Sequence, residues 1–151
     1  MISKKITLLF LSVTLLFSSC SSDDDNTGNE SLGDYENGII VSNQGNFGQG
    51  NASITYTSND LSIIENNVFS TVNDRALGDT AQSITFNDDL AYIVLNASNA
   101  IEIVNRYTFE SVATINTGLD NPRYIAFANG KGYVTNWGDG GVATDDYVAI
   151  I

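Results

Sequence analysis

An internal repeat constrains the fold of this chain more than any other feature. The segment SITFNDDLAYIVLN at residues 83–96 returns as YIAFANGKGYVTNW at residues 124–137, with Phe86 matching Phe127 across a period of 41 residues. In both copies two runs rich in β-branched and aromatic residues flank a short polar turn. A period of about 40 residues that contains four short strands is typical of a β-propeller blade.

The rest of the chain after residue 38 shows the same strand pattern. Short runs rich in Val, Ile, Thr, Tyr and Phe alternate with turns rich in Asn, Asp and Gly, and no run has a helical period. The predicted strands cover residues 38–43, 52–57, 82–86, 90–95, 100–105, 111–116, 123–128 and 132–137. We therefore predict an all-β fold over 38–151, made of about two and a half four-stranded blades of a longer, seven-bladed propeller. The third blade would be cut at Ile151, and a small self-contained β-sandwich is the alternative.

The first 19 residues have the pattern of an export signal. Lys4 and Lys5 precede the uncharged apolar run from Ile6 to Phe17, which is shorter than the roughly 20 residues that a membrane-spanning helix needs. Small residues then lead to Cys20, the only cysteine of the chain. This arrangement resembles a bacterial lipobox, which implies a lipid attached to Cys20 and an anchor in the outer membrane. An ordinary cleaved signal that leaves a free thiol is the alternative.

An acidic, polar segment follows the cysteine. Asp23, Asp24 and Asp25 resemble the signal that sends Bacteroidota-type lipoproteins to the cell surface, and residues 20–37 have the composition of a flexible tether. Four basic and 18 acidic residues lie beyond Cys20, so the net charge of that part is 4 − 18 = −14. This charge argues against nucleic acid as a partner. The chain has no histidine, which excludes a histidine-dependent catalytic triad within it.

Two loops combine amides, glycines and one aromatic residue each. They are NQGNFGQGN at 43–51 and NWGDGG at 136–141, and both follow a predicted strand, so we expect them at the same end of the sheets. Amides offer neutral hydrogen-bond donors and acceptors, and aromatic rings offer a flat apolar surface. The predicted ligand-binding residues are Asn43, Gln44, Asn46, Phe47, Asn136 and Trp137. Tight turns and packing between blades would explain the same residues without a ligand.

The two segments GIIVSNQGNFGQGNASITYT (38–57) and LDNPRYIAFANGKGYVTNWGDG (119–140) resemble the YncE-like propeller lipoproteins of Bacteroidota-type outer membranes. The resemblance implies a propeller fold and a place on the cell surface. One branch, the BtuG-like proteins, captures cobalamin and passes it to a TonB-dependent transporter.

The expected function is therefore a non-catalytic surface module that binds a small nutrient, either a corrinoid such as cobalamin or a glycan, for such a transporter. No cofactor or metal is predicted. A cell-surface adhesion or assembly scaffold is one alternative. The other is a metal-dependent propeller hydrolase, in which Asn43, Asn96 and Asn136 would line the axis. The triplet Asp-Thr-Ala at 79–81 also resembles a bacterial O-glycosylation site, with Thr80 as the acceptor.

Overall fold

The computed structural model describes residues 30–151 of the chain. The predicted signal segment, Cys20 and the aspartates at 23–25 lie outside this range. In chain order its elements are β1 (Ile39–Asn43), β2 (Ser53–Thr57), β3 (Ile64–Glu65), α1 (Val68–Asn73), β4 (Ala81–Asn87), β5 (Leu90–Leu95), β6 (Ala100–Asn105), β7 (Ser111–Ile115), β8 (Pro122–Ala128), β9 (Lys131–Asn136) and β10 (Tyr147–Ile150). Among the described residues, no helix is long and apolar enough to cross a membrane.

The strands form three successive antiparallel sheets, which we call the first, second and third blades. Their strand orders are β1-β2-β3, β4-β5-β6-β7 and β10-β9-β8. The two copies of the sequence repeat form the hairpins β4–β5 and β8–β9, whose turns fall at equivalent places. The all-β prediction is confirmed, and the sheets have the three- or four-stranded meander of propeller blades.

The two central strands of the second blade, β5 and β6, are buried on both faces, because the other two blades pack against them. Ile93 of β5 belongs to the cluster shared with the first blade, which also contains Ile54 and Phe69. The next residue, Val94, belongs to the cluster shared with the third blade, which also contains Val134. Successive side chains of a strand point to opposite faces, so a strand in a doubly covered sheet is apolar at almost every position.

The helix α1 was not predicted from the sequence, because six residues are too few to show a helical period. Val68 and Phe69 are fully buried between the first and second blades. The flanking residues Asn67 and Asp74 both have left-handed backbone conformations, with φ of 59° and 51°. Asn and Asp tolerate this conformation better than most residues, and it reverses the chain at both ends of the helix.

An ion pair with a buried carboxylate joins the segment after α1 to strands β6 and β7 of the second blade. The Arg75 guanidinium lies 2.6 Å from the carboxylate of Glu102, which is 1% exposed. The hydroxyls of Ser111 and Thr114 also donate hydrogen bonds to that carboxylate. Arg75 additionally covers the ring of Phe69, at 4.7 Å from its centroid. The carboxylate is thus satisfied by three donors, as a buried charge must be.

The chain packs against the blades before the first strand begins. The ring of Tyr35 makes edge-on contacts with Tyr56 and Phe109, at centroid distances of 5.2 and 5.3 Å. Burial raises the pKa of Tyr35 to about 12, and its hydrogen bond to the Glu65 carboxylate adds to the shift. Tyr35, near the C-terminal end of the segment predicted as a tether over 20–37, is therefore held against the blades.

Candidate functional site

The first predicted loop lies between β1 and β2 and is largely exposed. Gln44 and Asn46 are exposed, and Phe47 is 74% exposed at the tip of the loop. The loop is shaped from within, because the backbone N–H of Asn46 donates to the side chain of Asn51 at 2.8 Å. Gly45 has φ of 73°, and a Cβ there would collide with that same amide oxygen. The local sequence therefore holds Phe47 out in solvent.

Asn43 lies at the base of this loop, and its side chain forms hydrogen bonds within the first blade. Its amide nitrogen donates to the hydroxyls of Ser53 at 3.2 Å and Thr55 at 2.9 Å. Thr55 in turn donates to the side chain of Asn66 at 2.9 Å. Both amide protons of Asn43 are thus used inside the first blade, which leaves its amide oxygen as the group that could meet a ligand.

Hydrogen bonds connect the loops of all three blades at one end of the sheets, which we call the loop end. The backbone of Gly50 donates to Asp79 at 3.2 Å, and the backbone of Asp79 donates to Ser98 at 2.8 Å. The backbone of Asn121 donates to Asn99 at 2.7 Å, and the Asn121 side chain donates to the loop after β9 at 2.7 Å. The loops at 44–52 and 137–146 therefore share this end.

A cleft of about 470 Å³ opens on the third blade, at and below its loop end. Its lining is aromatic and polar, and consists of Arg123, Tyr124, Thr135, Asn136, Trp137, Asp146, Tyr147 and Val148. Trp137 is the only tryptophan of the chain and is half exposed. Tyr124 and Tyr147 are also exposed. Three accessible rings in one concavity offer flat apolar surface to a ligand.

Arg123 supplies the positive charge of the cleft. Its guanidinium lies over the Trp137 ring, 4.6 Å from the centroid. The pairing of β8 with β9 shifts register between Pro122 and Tyr124, so Arg123 occupies a β-bulge. Such a bulge re-aims the extra side chain. Within residues 30–151 the ion pair of Arg75 is the one salt bridge formed, so no carboxylate of this range pairs with Arg123.

Asn136 lines the cleft, but its side-chain amide forms hydrogen bonds with the backbone. The side chain is 3% exposed; its oxygen accepts from the backbone of Asp120 at 3.0 Å, and its nitrogen donates to the carbonyl of Val134 at 3.0 Å. These contacts hold the chain before β8 against β9. Asn136 therefore fixes the end of β9 beside Trp137, and the ligand contact predicted for Asn136 stays a prediction.

The structure brings together only two of the six predicted ligand-binding residues. Asn136 and Trp137 line the cleft, whereas the residues at 43–47 lie on the first blade, at the same end but outside the cleft. Sequence reasoning missed Arg123, Tyr124 and Tyr147. Arg123 could have been found, since it is one of only four basic residues beyond Cys20 and lies next to the sole proline.

The structure places Thr80, the predicted glycan acceptor, inside the fold. Its side chain is 2% exposed and its hydroxyl donates to Asp79 at 2.9 Å. An enzyme could reach this hydroxyl only if the segment before β4 opened. Attachment of a glycan to the folded chain at Thr80 does not fit this burial.

The described residues contain no group of three Cys, His, Asp or Glu side chains placed to hold a metal ion. Asn43 and Asn136 use their amide protons within their own blades, and Asn96 donates to the carbonyl of Pro122 at 3.1 Å. The cleft itself offers three exposed rings, the guanidinium of Arg123 and the carboxylate of Asp146.

Comparison with known proteins identifies a family for this chain. No curated protein matches the sequence of this chain. A family model described as a domain of unknown function, DUF5074, matches residues 37–144. The match spans all three blades up to the loop after β9, and includes both amide-rich loops and most of the cleft. It covers more than half of the chain, so the chain belongs to the DUF5074 family.

Proposed function

We propose that this chain is a non-catalytic binding module that captures a small nutrient at the bacterial surface and delivers it to a TonB-dependent transporter. One observation carries the proposal: exposed Trp137, covered on one side by Arg123, lies in a cleft with two further exposed rings. A half-exposed tryptophan in a concavity is costly to leave in water and typical of a binding site.

A corrinoid such as cobalamin is the leading ligand, and a glycan is the second. A corrinoid has a flat macrocycle surrounded by neutral amides. The exposed rings of the cleft suit the macrocycle, and the exposed amides of Gln44 and Asn46 at the same end suit the periphery. Arg123 can donate several hydrogen bonds to amide carbonyls or to a phosphate. A sugar ring would use the same aromatic surface and fewer of the amides.

The test is calorimetric titration of the full chain with cobalamin and, in parallel, with a panel of oligosaccharides. An aromatic anchor in a desolvated site contributes ~2 kcal/mol or more, so Trp137→Ala should weaken binding at least about tenfold. Phe47→Ala tests whether the first-blade loop takes part, and the same loss is expected.

Phe86→Ala is the matched control for Trp137→Ala. Phe86 is also exposed and also covered by an arginine, with the guanidinium of Arg106 4.7 Å from its ring centroid. It lies at the end of β4 near the β4–β5 turn, away from the loop end, so its removal should leave the affinity unchanged. Binding of a glycan without cobalamin would reject the corrinoid and keep the receptor. Binding of neither would favour the scaffold alternative.

The surface location is part of the proposal and rests on the sequence before the described residues. Cys20→Ala should release the protein from membranes or leave its signal uncleaved, as seen by fractionation and electrophoretic mobility. A variant that fractionates and migrates like the parent would count against the lipid anchor.

Replacing Asp23, Asp24 and Asp25 together by Ala should keep the anchor but protect the blades from protease added outside intact cells. Unchanged cleavage by that protease would reduce the three aspartates to a spacer.

A further inference from the structure

The loop between β1 and β2 is tied to the second blade through one side chain. The backbone N–H of Gly50 donates to the carboxylate of Asp79 at 3.2 Å. Within residues 30–151, this is the one hydrogen bond that joins residues 44–51 to another part of the chain. Gly50 belongs to the first blade and Asp79 lies just before β4, so the contact crosses the seam between the first and second blades.

Asp79 is itself held in place by its neighbours. Its backbone N–H donates to the hydroxyl of Ser98 at 2.8 Å, and one of its carboxylate oxygens accepts from the hydroxyl of Thr80 at 2.9 Å. The preceding Gly78 allows a close approach to Ser98, because a Cβ at Gly78 would lie 2.9 Å from the Ser98 hydroxyl oxygen. The carboxylate is therefore fixed, with its other oxygen turned to Gly50.

The backbone at Thr80 is strained in support of this arrangement. Thr80 is β-branched and has φ of 59°, in the left-handed region that such residues rarely adopt. Its carbonyl accepts from the backbone of Asn96 at 2.9 Å, so the second blade maintains the conformation. In the next repeat Asn121 has the same conformation, with φ of 48°, and its carbonyl accepts from the backbone of Trp137. Strain of this kind persists where the surrounding structure fixes a particular geometry, here that of Asp79.

The tip of the β1–β2 loop has little else to hold it. Gly48 and Gly50 have φ of 77° and 61°, and a Cβ at either position would meet open space. Glycine loses more conformational freedom on ordering than any other residue. Without the Asp79 contact, residues 46–50 would keep only the hydrogen bonds inside the loop. Phe47 at the tip would then lose its fixed position relative to the second blade.

We propose that Asp79 is a positioning residue, which holds the β1–β2 loop against the second blade and thereby presents the Phe47 ring to a ligand in one place. The role of Phe47 at a ligand rests on the proposed function, whereas the tie between Asp79 and the loop does not. A side chain that is already ordered loses less conformational freedom on binding. Asp79 therefore strengthens binding through Phe47 and without touching the ligand.

Limited digestion of the full chain with chymotrypsin in mild detergent tests the tie without any ligand. Chymotrypsin cleaves after aromatic residues, and mass spectrometry of the fragments gives the rate of cleavage after Phe47. Loss of a hydrogen bond to a charged acceptor shifts a local equilibrium about tenfold, so Asp79→Ala should raise that rate about tenfold. Cleavage after Phe69, which is fully buried, reports global unfolding in the same samples and should stay unchanged.

Asp139→Ala is the matched control. The Asp139 carboxylate also accepts from a backbone N–H, that of Gly141 at 2.9 Å, but within its own loop. Its removal should leave cleavage after Phe47 unchanged. Asp79→Asn keeps a side-chain oxygen that can accept from a backbone N–H. Its rate should fall between those of the parent and Asp79→Ala, because hydrogen bonds to an ionised acceptor are roughly twice as strong as neutral ones.

An unchanged rate of cleavage after Phe47 in Asp79→Ala would overturn the proposal, and so would an equal rise in Asp139→Ala. If Asp79→Ala speeds cleavage after Phe69 as much as after Phe47, the milder Asp79→Asn decides. A rise after Phe47 alone then supports the tie, and the absence of such a rise overturns it.

Calorimetric titration with cobalamin tests the consequence for binding. Asp79→Ala should weaken the affinity of the parent about two- to tenfold, the cost of immobilising one further side chain. In the Phe47→Ala background it should have no further effect, because a residue that acts through another is not additive with it. An equal loss in both backgrounds, or no loss in the parent, would refute the positioning role. If the parent does not bind cobalamin, the proposed corrinoid is rejected, and the digestion still decides whether Asp79 holds the loop.

Discussion

Replacing Arg75 with methionine should destabilise the fold through the buried carboxylate of Glu102. The methionine side chain can keep the apolar contact with Phe69, but it removes the guanidinium 2.6 Å from the carboxylate. Glu102 would then remain 1% exposed with only the hydroxyls of Ser111 and Thr114 as donors. A buried charge that loses its partner is among the few changes with large effects on stability.

The magnitude follows from the burial of the two partners. Breaking a fully buried ion pair by removing one partner costs about 3–5 kcal/mol, whereas exposed pairs contribute ~0.2–1 kcal/mol. The Arg75 side chain is 44% exposed, and two hydrogen bonds to Glu102 survive, so this pair lies between those limits. We expect the free energy of unfolding to fall by about 2 kcal/mol.

Urea unfolding followed by circular dichroism measures this loss, which corresponds to a Tm lowered by about 4–8 °C for a chain of this length. Arg106→Met is the matched control. Arg106 also covers aromatic rings, those of Phe86 at 4.7 Å and Tyr107 at 5.4 Å, but it forms no salt bridge within the described residues. Its replacement should cost less than about 1 kcal/mol.

The double variant Arg75→Met, Glu102→Leu should recover most of the lost stability, because a buried pair can often be replaced by apolar side chains at little cost. Equal losses for Arg75→Met and Arg106→Met would refute the reasoning, since the carboxylate would then contribute nothing. A double variant less stable than Arg75→Met would show that the hydroxyl contacts of Glu102 matter more than its charge.

Three further predictions concern other parts of the fold. The pKa of Tyr35 is raised from 10.0 to about 12 in the folded chain. The neutral hydroxyl of Tyr35 therefore stabilises the fold fully below pH 10, and this stabilisation is lost as the pH rises towards 12. In urea unfolding at alkaline pH, Tyr35→Phe should remove this part of the pH dependence. Hydrogen bonds from Ser58 and Ser62 lower the pKa of Asp60 from 3.8 to about 2. The charged carboxylate of Asp60 therefore stabilises the fold above about pH 4, and this stabilisation is lost as the pH falls towards 2. In an NMR titration, Ser58→Ala should raise the pKa of Asp60. Gly138→Ala should lower the free energy of unfolding by about 1 kcal/mol or more, because φ is 61° at Gly138 and a Cβ there would lie 2.6 Å from a carboxylate of the same loop. Gly140→Ala is the control and should have little effect, because a Cβ at Gly140 would meet open space.

The all-β prediction is confirmed, whereas the ligand-binding role of the candidate residues stays a prediction. Strand alternation and Asn/Gly turns are local signals, and the repeat placed two hairpins in equivalent positions before any contact was known. Trp137 was singled out from its loop, and the structure shows it exposed in a cleft. The adjacent Asn136 was assigned the same role, yet its amide is buried in backbone hydrogen bonds. Spacing along a strand cannot tell which of two neighbouring residues a bulge or a loop turns outward.

The sequence by itself determined the fold class of this protein and the period of its blades, because alternation and turn chemistry act between residues close in the chain. Tertiary structure alone decided which groups meet. The Arg123 guanidinium reaches Trp137 only because a bulge interrupts β8, and Arg75 reaches Glu102 only because α1 packs between two blades. Tyr35 packs against the core only because Tyr56 of the first blade and Phe109 of the second lie close enough for its ring to contact both. Such contacts depend on how separate sheets stack, and their geometry is set by the whole packed assembly of side chains.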